Sequence, residues 1–316
     1  MDGGRIQIRN RKTKAPVDTD AADAPRKGRF WRESKVGCLL SMRSETHAED
    51  PCPKIPRTFV DPLRMNEMSR EIKGFSASSE ASDEADEAVD VRPSRPDILV
   101  KTVVASRDDI HAFGRQLATA AWQRGFAASE RKAFVCDGLA ANWTVWRKHF
   151  SHYTPILDFV HAVMYVYAAA MAGRDFPAGW RVYCDWAQLI WSGRVAEVIA
   201  ALKQRQDEVG LPAKDEPDHS PRKIIADSLR YLSNQQSRMH YDQYRRAGLP
   251  LTSSHIESTI KQINRRVKGS EKFWNSDGAE ALLQLSADCL SETDPLTPFW
   301  RQRKFTTGQR RYQAAI

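Results

Sequence analysis

Paired cysteines and membrane-length apolar runs are missing from this sequence, and no secretory leader is expected. Its five cysteines, Cys38, Cys52, Cys136, Cys184 and Cys289, are scattered and form no C-x-x-C pair. That excludes the common zinc-ribbon and thioredoxin-type spacings and reads as buried free thiols. No stretch approaches the roughly 20 apolar residues that span a bilayer. The opening MDGGRIQIRN has no apolar stretch of the kind a signal peptide needs. The expected location is therefore the cytoplasm, with no membrane partner.

What is present is core-forming bulk and positive charge. Apolar residues make up 41% of the 316, and nine are Trp, which argues for bulky helix packing. Lys and Arg number 48 against 40 Asp and Glu, a net charge of +8 and a pI near 9.3. An acidic run from Glu80 to Asp90 leaves the remainder more basic still, which suits a polyanionic partner.

Periodicity sets the expected elements. Residues 4–9 (GRIQIR) alternate as a half-buried strand, and residues 35–42 (KVGCLLSM) form a second one. The two are expected to pair as a hairpin around the unpatterned residues 10–30. Residues 76–97, rich in Ser, Ala and acid, predict a disordered insertion. Residues 98–104 (ILVKTVV) predict a third strand, and 107–124 a helix closed by Gly125. The short strand AFVC (133–136) ends at Asp137-Gly138, and a helix carrying Trp143 and Trp146 follows. TPILD (154–158) predicts another strand, and 159–172 a strongly apolar helix. From Trp180 to Ala247 the pattern is helical, broken by prolines between Leu211 and Arg222. Helices at roughly 254–268 and 277–291 close the chain. A meander followed by alternating elements predicts an α/β fold, a mixed sheet flanked by helices.

Three acids sit where metal chemistry would want them. Asp2 lies at the edge of the first strand, Asp137 at the end of AFVC, and Glu257 in the first turn of SSHIESTIKQINRRVK. Hard divalent cations need such oxygen clusters, and two of them can activate an attacking oxygen while stabilising a leaving one. Each acid also has a plainer reading. Asp-Gly is a common turn dipeptide, Ser254 to Glu257 matches a capping box, and Asp2 could be an ordinary terminal acid. The helix bearing Glu257 carries Ile256, Ile260, Ile263 and Val267 on one face and Lys261, Arg265 and Lys268 on the other. That ridge, with Arg266, suits a DNA backbone or is a solvated charged face.

The segments DGGRIQIR, FVCDGLAANW, ILDFVHAV, RMHYDQYRRAGLPLTSSHIESTIKQINRRVKGSEKFW, GAEALLQL and FW occur in that order. Together they resemble bacterial insertion-sequence transposases of the DDE superfamily, closest to the ISKra-type group. The resemblance implies an RNase H-like core with a large all-helical insertion before the last catalytic helix. It divides the chain at 1–158, 159–252 and 253–316. It places catalytic, metal-binding carboxylates at Asp2, Asp137 and Glu257, with two Mg²⁺ or Mn²⁺ ions, and sets Asp158 and His161 beside them as accessory residues, a buried, hydrogen-bonded structural role for His161 being the alternative. The implied activity is phosphodiester cleavage and strand transfer on transposon ends and target DNA, in a homo-oligomer associated with the nucleoid. Family members carry a long DNA-binding region before the first Asp that this sequence does not show, so the chain resembles an N-terminally truncated or split frame. A non-catalytic remnant that binds DNA or a full-length transposase is the alternative, and a stand-alone nuclease of the same fold is a third.

Overall fold

The computed structural model describes residues 2–8, 31–72, 96–267 and 272–302. In chain order these form β1 (Asp2–Gln7), β2 (Trp31–Arg43), α1 (Pro62–Ile72), β3 (Asp97–Ser106), α2 (Ile110–Gln123), β4 (Ala133–Cys136) and α3 (Ala140–His149). There follow β5 (Thr154–Leu157), α4 (Phe159–Met171), α5 (Phe176–Trp191), α6 (Val195–Val209), α7 (Pro221–Gln235) and α8 (Tyr241–Arg246). The last elements are α9 (Ser254–Val267), α10 (Ser276–Leu290) and α11 (Leu296–Gln302). The protein is mixed α/β, with its described strands in two small sheets, β1-β2-β3 and β4-β5. The 10–30 loop lies almost wholly outside the described residues, as does most of the acidic 76–97 segment. No helix among the described residues is long and apolar enough to cross a membrane.

Two compact units divide the chain. One comprises Met1–Met42, Ile98–Ala127 and Ser254–Ile316, the other Arg43–Asp97 and Ala128–Ser253.

In the first unit β1 and β2 are antiparallel, with Asp2 opposite Val36 and Gln7 opposite Trp31. This is the expected hairpin, with β2 extended several residues beyond the apolar run. Strand alternation puts Ile6, Ile8, Val36, Val103 and Ala105 on one face, where they pack with Ile256, Ile260, Ile263 and Val267 of α9 and with Ala279, Leu283 and Ala287 of α10. The four α9 side chains are each worth roughly 2 kcal/mol of burial, about 8 kcal/mol as an upper figure. On the opposite face Gly37 meets α2, where a Cβ would stand 2.8 Å from Leu117 Cδ1. The missing side chain is what lets that helix approach. Asp109 caps α2 by accepting from His111 N at 2.7 Å and Ala112 N at 2.8 Å.

In the second unit β4 and β5 run parallel, in register from Ala133 opposite Thr154 to Cys136 opposite Leu157. α3 is the crossover between them. α4 buries Phe159, Ala162, Val163, Met164, Val166, Ala169 and Ala170, residues spread around the helix, and packs against α5 and α7. Phe159 is the centre of an aromatic nest, edge-on to Phe59 at 4.9 Å, Trp191 at 4.9 Å and Tyr241 at 5.0 Å. Beside it Arg245 stacks over Trp191, 4.0 Å from the ring centre, and clamps Asp50 through Nε and Nη2. Pro221, expected as part of a helix break, starts α7 instead. Proline is tolerated in the first turn, and Ser220 caps that turn by accepting from Lys223 N. α1 has no counterpart among the expected elements: its apolar residues are too few to mark a helical stripe in the sequence.

Candidate functional site

Parallel strands joined by a helix present their carboxyl ends on the same edge, and such edges are where α/β proteins place ligands. Because Cys136 pairs with Leu157, the next residue of each strand lies side by side with the other. Those residues are Asp137 and Asp158. The Asp158 N–H donates to the Cys136 carbonyl at 2.9 Å, which carries the pairing one step past the strands.

Asp137 is half-buried and held at several points. Its Oδ1 accepts from the Leu139 N–H at 3.0 Å and from Asn142 Nδ2 at 2.8 Å. Oδ2 accepts no hydrogen bond among the described residues. Its backbone carbonyl accepts from the Tyr231 hydroxyl at 2.7 Å, and the Gly138 carbonyl accepts from Gln235 Nε2 at 3.0 Å. Burial raises the Tyr231 hydroxyl far above the usual phenol range, so it remains a donor at any working pH. Gly138 has φ of +90°, and a Cβ there would stand 2.8 Å from the Tyr231 hydroxyl. Only glycine fits that turn. The turn reading of Asp-Gly and the ligand reading of Asp137 are therefore compatible: one oxygen makes the turn and the other accepts no hydrogen bond among the described residues.

Asp158 is different. It is fully buried, and its Oδ1 caps α4 by accepting from Val160 N at 2.6 Å and His161 N at 3.2 Å. Its Oδ2 accepts from the Ser253 N–H at 2.5 Å and from the Ser253 hydroxyl. Nδ1 of His161 lies 3.6 Å from Oδ1. Burial alone would raise this carboxyl, but His161 and the Ser253 bonds outweigh it and hold the group below the ordinary carboxylate range. Asp158 and His161 carry metal-ligating atoms within reach of one another. A cation taken there would have to displace bonds that already saturate both oxygens, so Asp158 is built first as a cap and a strut.

The other two expected ligands belong to the first unit. Asp2 opens β1, opposite Val36. Glu257 lies half-buried in the first turn of α9, the helix packed on that sheet. Further along, Lys261, Arg265 and Arg266 are exposed, and Lys268 lies outside the described residues. Arg265 and Arg266 fall in the last turn, where cations also complement the helix dipole.

Sequence reasoning missed the residues that fix Asp137. Asn142 stands five residues on, one turn into α3, and a polar residue in an otherwise apolar helix start was the available signal. Tyr231 and Gln235 come from α7, nearly a hundred residues away, and nothing local marks them. Compared with known protein families, with characterised proteins and with solved structures, the chain matches none.

Proposed function

We propose that this protein is a metal-dependent polynucleotidyl transferase of the DDE transposase kind, with an RNase H-like core. The observation that carries this reading is the Asp137 carboxylate. It stands at the carboxyl edge of a parallel strand pair, one oxygen fixed by Leu139 N and Asn142 and the other accepting no hydrogen bond among the described residues. A carboxylate held that way is preorganised for a hard cation, which takes few carboxylates and keeps its remaining positions for water and phosphate oxygens. The three-stranded sheet β1-β2-β3 followed along the chain by the parallel β4-α3-β5 unit, and the segments that resemble ISKra-type transposases, support the same reading.

Asp2, Asp137 and Glu257 would hold two Mg²⁺ or Mn²⁺ ions, which when bound supply an activated attacking oxygen and stabilise the leaving one. Tyr231 and Asn142 keep Asp137 in place. Asp158, with His161, braces the start of α4 beside it. Lys261, Arg265, Arg266 and Lys268 would neutralise backbone phosphates. The reaction is hydrolysis of a phosphodiester at an element end, followed by attack of the freed 3′-OH on target DNA.

The test is nicking of supercoiled plasmid by the purified chain in Mn²⁺ or Mg²⁺. Asp137→Asn and Glu257→Gln should each lower the nicking rate at least about 100-fold, the scale of a misplaced catalytic group. Equal nicking by these variants, or nicking that persists in EDTA, overturns the assignment. A second reading is a chain that binds DNA without cutting it, favoured by the exposed cations of α9. Salt-sensitive DNA binding with no metal-dependent nicking by the wild type would establish it.

A further inference from the structure

A polar cleft of about 520 Å³ opens within the second unit, lined by Trp143 and Arg147 of α3, Tyr165 of α4, and Arg230, Tyr231 and Arg238. Its volume lies in the range of small-molecule sites. Asp227, the one acid among the lining residues, is bound to Arg230 at 2.7 Å.

The other two arginines have no acid. Arg238 donates to the Gln235 side-chain oxygen at 2.7 Å and lies over the Trp143 ring, 4.2 Å from its centre. Arg147 is exposed and makes neither a hydrogen bond nor an ion pair among the described residues. The two cations feel each other: burial lowers the proton affinity of Arg238, and the charge of Arg147 lowers it further. Like charges facing one cleft with no counter-ion call for an anion.

Trp143 forms part of the cleft wall and is the ring over which Arg238 lies. The stacked pair Tyr165 and Tyr231, 3.7 Å between ring centres, walls the cleft, and the hydroxyl of Tyr231 is the one bonded to the Asp137 carbonyl. Gly138 lines it too. The cleft therefore begins at the residue following the proposed catalytic carboxylate.

We propose that this cleft is a phosphate subsite, in which Arg147 and Arg238 hold a backbone phosphate of a nucleic-acid strand next to the phosphodiester that Asp137 acts on. The chemistry is that of a phosphate ester accepting from guanidinium groups. This rests on the reading of Asp137 given above, but binding can be tested without it.

The experiment measures binding of a fluorescent 15-nucleotide oligothymidylate to the full chain in EDTA, across a salt series. Arg147 is exposed, so Arg147→Gln should leave melting unchanged while weakening binding about tenfold at low salt. The slope of log K against log salt should fall by about 0.7, the value of one neutralised phosphate on a single strand. Arg147→Lys should keep most of the slope, and Arg181→Gln, an exposed arginine of α5 outside the cleft, should bind as the wild type does. An unchanged affinity and slope in Arg147→Gln overturns the proposal. So does micromolar competition by thymidine monophosphate or inorganic pyrophosphate for the Arg147-dependent part, which would make the occupant a free phosphate compound. Because no metal is present, a failure of Asp137→Asn to abolish nicking leaves this result standing, and a null result here leaves the carboxylate assignment intact.

Discussion

Replacing Asp158 by Ala should destabilise the second unit without any metal chemistry being involved. Asp158 Oδ1 caps α4 through two backbone N–H groups, at 2.6 Å and 3.2 Å, and loss of such a cap costs about 1 kcal/mol. Oδ2 receives the Ser253 N–H and hydroxyl, and hydrogen bonds to a charged group are worth about 1.5–3 kcal/mol each. The carboxylate is fully buried, so these gains are set against its desolvation, and a net loss of about 3–4 kcal/mol is expected. Urea denaturation followed by tryptophan fluorescence reports it directly, since Trp191 packs on Phe159, the first residue of the capped helix. Asp158→Asn should recover part of the cap but set an amide against the Ser253 donors. The pH dependence follows from the direction of the shift. The folded carboxyl is held below its ordinary value, so its contribution is complete above about pH 4 and disappears as pH falls through the folded pKa. Asp158→Ala should flatten that acid limb. A loss under about 1 kcal/mol, the value of the cap alone, or an unchanged limb, would refute the account of Asp158 as a strut.

Gly138→Ala should cost about 2–4 kcal/mol, from the positive φ and from crowding of its Cβ against Tyr231. Its nicking rate should fall further than its stability explains, because Asp137 moves with the turn; a variant as active as the wild type at low temperature argues against preorganisation. Arg245→Ala should cost about 3–5 kcal/mol in thermal or urea melts, since it leaves Asp50 unpaired and uncovers the face of Trp191. The double change with Asp50→Ala should cost much less than the two singles added. Neutralising Lys261, Arg265 and Arg266 together should lower the salt slope of duplex binding by nearly three, about 0.9 for each phosphate left without its cation; an unchanged slope would mean that DNA lies elsewhere.

Elements with a strong period were legible in the sequence, and pairings made at long range were not. The alternation of Ile6 and Ile8 and the stripe from Ile256 to Val267 announced a strand and a helix, and both stripes meet in one core. AFVC and TPIL were legible as short apolar runs ended by a turn, which put Asp137 and Asp158 at strand ends. Their neighbourhood was hidden because it depends on which helix crosses above them. Tyr231, Gln235 and Ser253 reach those acids and the adjoining Gly138 across 94 to 97 residues, and each looks locally like an ordinary polar residue. Asp158 shows the limit from the other side. The sequence offered it as an accessory to catalysis, while its bonds make it a helix cap as well.

The first unit draws β1 and β2 from the beginning of the chain, β3 and α2 from its middle, and α9 and α10 from its end, with the second unit's segments encoded between. During synthesis, Ile6, Ile8 and Val36 emerge first and wait for α9, whose last buried residue is Val267. The second unit, whose segments end at Ser253, is complete before that helix exists. A nascent chain therefore carries an uncovered apolar strand face for most of its translation, at an elongation speed of about 5–20 residues per second. Any chain that stops short of α9 keeps that face, so premature termination yields a product prone to pair through its strands and to aggregate.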